Sequence, residues 1–169
     1  MAPQTESAAA TAGSDIRGRV KSVAGVLRLL QLLLGACIWV TIAANRYDGA
    51  VHFALAVAVL FWLLTLAALV LGALDRHWVV PLIGGERWPI TTLVLDVGAL
   101  VLLLVANGIL GVKMERLTYC TVTQYKYKTS CLYSVYLTAT IFAALTSATY
   151  LVSAVYRIVM KCRGQTPPL

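Results

Sequence analysis

Charged residues are scarce in this chain. Asp, Glu, Lys and Arg make up 12% of its 169 residues and hydrophobic residues 60%. Soluble domains carry about a quarter charged residues and about half apolar ones. A soluble globular domain is thereby excluded, and so is disorder over most of the length, which requires low hydrophobicity. Acids are fewest: seven stand against fourteen Lys and Arg, a net charge of +7. The four cysteines, Cys37, Cys120, Cys131 and Cys162, form no C-x-x-C pair, and His52 and His77 fall at opposite ends of one apolar run. The ligand spacing of a zinc site and the motif of a thiol redox centre are both missing. Asn45 is followed by Arg-Tyr and Asn107 by Gly-Ile, so neither begins a glycosylation sequon. The basic residues lie beside and between apolar runs rather than on a groove-reading helix. They point to anionic headgroups, not to nucleic acid.

Most of the remaining sequence is apolar and falls in four runs, about 23–44, 51–74, 90–112 and 132–160, with a mean hydropathy of +0.81 for the chain. At 1.5 Å per residue each run covers roughly the 30 Å hydrocarbon core, and the fourth exceeds it. The predicted fold class is an all-α membrane protein, a four-transmembrane-helix bundle. A membrane barrel would instead show alternating segments of about ten residues. Residues 1–22 read as a disordered cytoplasmic tail ending in a basic anchor of Arg17, Arg19 and Lys21, and residues 161–169 as a second, short tail. Thr41-Ile42-Ala43 imitates a cleavage site and keeps a cleaved signal as the alternative to a first span. Trp78 and Trp88, in the second connection, read as interfacial anchors. Nine Lys and Arg lie near the spans on the side of the termini and five on the other side. That bias predicts cytoplasmic termini, and puts the longest connection, 113–131, in the lumen or exterior.

Asp96 is the one acid inside an apolar run, and an intramembrane carboxylate is a functional candidate by default. Arg28 lies within about two turns of the end of the first run, so its long side chain can reach the interface; it and Gln31 also lie at a depth comparable to Asp96, so a short contact is feasible. Two readings follow: a proton relay or cation site, or a structural pairing that holds the bundle. One acid without a chain of partners makes a poor relay, which favours the structural reading. On that reading Asp96→Asn leaves the fold largely intact wherever neutral hydrogen bonding suffices. Cys120 and Cys131 flank a β-prone stretch and, facing an oxidising compartment, are expected to form a disulfide; two free thiols are the alternative. Cys162, between Lys161 and Arg163, is a candidate S-palmitoylation site or an unmodified juxtamembrane thiol. Cys37 acts as a small hydrophobe. Small residues recur at four-residue spacing as Ala68 and Gly72, as Ala139, Ala143 and Ser147, and as Ala144 and Ala148. Such rows let helices approach closely, within the chain or between copies. Thr138, Thr140, Thr146, Thr149 and Ser153 supply hydroxyls that either cross to another helix or bond their own helix carbonyls.

An enzyme needs a convergent set of polar groups. The Arg, Asn and Glu cluster of membrane glutathione transferases is missing, as is the C-x-x-C of quinone-linked redox enzymes. The chain therefore reads as non-enzymatic, with no cofactor. Its expected partners are membrane lipids and other membrane proteins or further copies of itself. The main alternative is an oligomeric ion or proton channel ringed by Asp96, and the last a lipid-modifying enzyme.

Two stretches carry a resemblance. One is GVLRLLQLLLG at 25–35; the other is YDGAVHFAL at 47–55, continuing as LFWLLTL at 60–66. Together they resemble the first hairpin of the MARVEL-domain tetraspans, and the likeness covers about residues 20–163. Cys120 and Cys131 are similar to the cysteine pair of that family's second extracellular loop. The long first extracellular loop of claudins and the Cys-Cys-Gly of tetraspanins are missing. The resemblance implies four helices, cytoplasmic termini and no catalysis. It also implies membrane apposition, vesicle trafficking or organisation of sterol- and sphingolipid-rich patches.

Overall fold

Ser22 takes an extended conformation and its Oγ accepts from the Gly25 N–H at 3.2 Å, so it caps the first helix by satisfying one of the orphan donors there. A computed structural model describes residues 22–45, 49–74, 87–116 and 133–163. It contains α1 (Val23–Ala43), α2 (Val51–Ala73), α3 (Trp88–Arg116) and α4 (Tyr133–Cys162), and no strand among the described residues. All four helices are long and apolar enough to cross a bilayer. Gly49 leads into α2 with φ +55°, a left-handed conformation that a Cβ disfavours.

Pro89 falls in the first turn of α3, where its missing N–H breaks no helix bond. The helix therefore starts two residues ahead of the predicted 90, and it runs on to Arg116 rather than stopping at 112. At 1.5 Å per residue its 29 residues span about 43 Å, so α3 as well as α4 outruns the hydrocarbon core. Trp88 is only 8% exposed. It lies one turn before the buried Thr92, on the inner phase of α3, and so packs inside the bundle rather than anchoring at the interface as its sequence position suggested.

Buried positions recur on every helix at alternating steps of three and four residues. They are Ala24, Arg28, Gln31, Gly35, Ile38 and Ile42 on α1, and Val51, Ala54, Ala58, Phe61 and Thr65 on α2. On α3 they are Thr92, Asp96, Ala99, Leu103, Ala106 and Leu110. On α4 they are Tyr136, Ala139, Ala143, Thr146, Tyr150, Ser153 and Arg157. A repeat of 3.5 is the seam of a left-handed bundle. Each helix packs on its neighbours in the chain, and α4 closes the ring on α1. Lipid is as apolar as Leu, so burial of apolar surface does not drive this assembly; close packing and interhelical polar contacts do. Small residues accordingly occupy the seams, while Leu, Val and Ile face outward on all four helices.

The seams divide into two halves. At the end where α1 begins and α4 finishes, the interior holds Arg28, Gln31, Thr65, Thr92, Asp96, Ser153 and Arg157. At the opposite end Ile38, Ile42, Val51, Ala54, Leu103, Ala106 and Leu110 fill it with hydrocarbon.

Candidate functional site

Asp96 sits at the centre of the polar half, with 0% exposure. Its Oδ2 accepts from Ser153 Oγ at 2.7 Å and from Arg157 Nε at 3.1 Å. Its Oδ1 lies 2.6 Å from Arg28 Nη1. That second contact is a charge pair without a hydrogen bond: Nη1 donates instead to Gln31 Oε1 at 3.0 Å. Arg28 and Arg157 are 3% and 4% exposed, so one carboxylate is shared by two guanidiniums out of reach of solvent.

The surrounding groups complete the arrangement. Thr92 Oγ1 donates its proton to the Trp88 and Pro89 carbonyls at 3.0 and 3.1 Å. Its lone pairs are then left to accept from Arg157 Nη1 at 2.8 Å. Gln31 Nε2 reaches the Thr149 carbonyl of α4 at 3.4 Å. Thr65 and Tyr150 hydroxyls meet at 2.6 Å, either one donating. α1 and α3 are diagonal partners in the ring, and so are α2 and α4. The Arg28–Asp96 and Thr65–Tyr150 contacts therefore span both diagonals, a long side chain meeting a short one in each.

Residues 19–156 match the family model of MARVEL, the membrane-associating domain. The chain belongs to the MARVEL family. It is 53% identical over 146 residues to MARVEL domain-containing protein 1 of Danio rerio, covering 86% of this chain and 89% of that one. It is 39% identical over 97 residues to plasmolipin of Bos taurus and 37% over 94 residues to plasmolipin of Rattus norvegicus. Each plasmolipin match covers 53% of this chain and 48% of the relative. No solved structure matches. The chain is thus a multi-pass membrane protein with four spanning helices.

Within this MARVEL domain the residues singled out from sequence fall as follows. Arg28 touches Asp96 directly, whereas Gln31 reaches it only through Arg28. Arg157, Ser153 and Thr92 complete the cluster and were not anticipated as its members; the signal was their place in the three-four repeat of α3 and α4. Two guanidiniums on one carboxylate also revise the expectation for Asp96→Asn, because an amide carries no charge to offset either. Asp96 faces the interior of its own bundle, not the outer surface on which several copies would line a pore.

Ala139, Ala143 and Ser147 are buried on the α4 seam and Gly72 on the α2 seam, with Ala68 half-buried beside it. Ala144 and Ala148 face outward. Thr138, Thr140, Thr146, Ser147 and Thr149 all bond carbonyls of their own helix. Ser153 is the hydroxyl of that set that crosses between helices. Cys37 is half-buried, and Cys162 is exposed at the end of α4 between exposed Lys161 and Arg163. Cys120 and Cys131 lie outside the described residues.

Proposed function

We propose that the chain is a non-enzymatic organiser of membrane domains, acting in membrane apposition or vesicle trafficking through lateral contacts with lipids and other membrane proteins, its own copies included. One observation carries this reading. The intramembrane charges of α1, α3 and α4 are engaged with one another inside the bundle, while the outer faces of all four helices are mostly Leu, Val and Ile. A surface of that kind offers its neighbours shape and hydrocarbon rather than reactive groups. Sterol- and sphingolipid-rich membrane of the plasma membrane or endomembrane vesicles is the expected setting. Cytoplasmic termini would place exposed Lys161 and Arg163 against the anionic leaflet, with Cys162 beside them for acylation. They would also place Cys120 and Cys131 where a disulfide persists.

Reconstitution into liposomes tests the reading. The expected result is altered lipid order or vesicle clustering without ion or proton flux. Ion or proton flux through the wild-type chain would establish a channel instead.

A further inference from the structure

At the apolar end of the bundle, the outer flank of α3 carries a groove of about 440 Å³. It is lined by Val105, Gly108, Ile109, Val112 and Lys113 of α3, and by Ala50 at the foot of α2. The five α3 positions follow one another at helical spacing, so they form a single stripe roughly 12 Å long at 1.5 Å per residue. Gly108 opens its floor: a Cβ built there meets no atom within 4 Å. Among the described residues the walls are aliphatic and Lys113, three residues before the end of α3, is the charged one. The volume falls in the range of small-ligand sites, roughly 300–1,000 Å³, and so does the character: apolar lining with a single polar group to fix orientation.

From this we infer that the groove is a phospholipid site, holding one acyl chain along α3 with the lipid phosphate against the Lys113 ammonium. The charge selects this occupant over a second copy of the chain. A two-fold contact across the groove would bring Lys113 of each copy toward its counterpart, a like-charge approach, whereas a phosphate complements it. Lysine carries three N–H donors, enough to serve a phosphate alongside another contact. The leaflet is the one opposite the chain termini, because α3 ends there. The inference needs only the bilayer crossing and is independent of the organiser reading.

The test is native mass spectrometry of the full chain in detergent, titrated with palmitoyl-oleoyl-phosphatidylcholine, with oligomeric state read in the same spectra. The wild type is expected to take up one lipid in a saturable step. Gly108→Leu, whose Cβ meets no atom within 4 Å, puts its isobutyl group into the floor and is expected to weaken that step at least tenfold. Lys113→Gln is expected to weaken it about fivefold, the weight of one interfacial lysine. Ala144→Leu, on the outer face of α4, is expected to leave it unchanged. Equal uptake by all four proteins would overturn the site. So would a Gly108→Leu variant that breaks a dimer while lipid uptake stays at the wild-type level, which would assign the groove to a second copy.

Discussion

Asp96→Asn is the most informative single change. The carboxylate offsets two guanidiniums that are 3% and 4% exposed, at 2.6 and 3.1 Å. An amide keeps the volume, and its oxygen still accepts from Ser153, but the negative charge is gone. Arg28 is then left with Gln31 Oε1 and faces the amide NH2 across the former 2.6 Å contact, and Arg157 keeps a neutral oxygen and Thr92 Oγ1 but no counter-charge. Removing one partner of a buried ion pair costs about 3–5 kcal/mol, because the other charge remains buried and uncompensated. Every 1.4 kcal/mol is tenfold, so the folded-to-unfolded ratio at a given denaturant should fall by about two to three and a half decades. The assay is denaturation of the full chain in lipid nanodiscs, followed by the near-ultraviolet signal of the bundle. A companion variant isolates charge from packing. Asp96→Asn combined with Arg28→Met and Arg157→Met removes all three charges and should recover most of the loss, since an apolar replacement of a buried ionic group is often neutral or stabilising. A single Asp96→Asn within 1 kcal/mol of wild type would refute the reasoning and show that hydrogen bonding alone holds the cluster.

The other predictions follow from the same geometry. Tyr150→Phe strands the fully buried Thr65 hydroxyl and should cost about 1–3 kcal/mol, most of it regained when Thr65→Val is added; thermal unfolding of the singles and the double measures the coupling. Ala143→Leu overfills the α4 seam and should destabilise by about 1–3 kcal/mol, while its outward neighbour Ala144→Leu stays within about 0.5 kcal/mol in the same assay. If a Cys120–Cys131 bridge staples the third connection, those thiols react with maleimide only after reductant; labelling without reductant would show them free.

The spans were legible in the sequence because twenty-odd apolar residues have one stable use in a bilayer. The meeting of Arg28 with Asp96 was legible as well, since both lie about two turns or less from helix ends on one side. The rest of the cluster was harder to see for a physical reason. Arg157 sits five residues from the end of α4, where a long cationic side chain ordinarily reaches for the interface, and nothing in local hydropathy distinguishes that from turning inward. Phase decides it: Tyr150, Ser153 and Arg157 continue the seam that Ala139, Ala143 and Thr146 begin. Trp88 was misplaced on the same ground, its one-turn offset from Thr92 being a better guide than its position at a run's edge. Hydropathy moments are no help when every face is apolar. In such a chain the small and polar residues mark the inside, which reverses the rule for soluble helices.

The diagonal pairing of α1 with α3 also bears on how the chain is made. Arg28 belongs to the first span to leave the ribosome, whereas Asp96 and Arg157 belong to the third and fourth. At about 5–20 residues per second the counter-ion emerges several seconds later. During that interval an arginine within a hydrocarbon-length segment has Gln31 of its own span to donate to, but no counter-ion of its own chain. The first span therefore needs a polar host, at the insertion machinery or in its company, until the third arrives to relieve it.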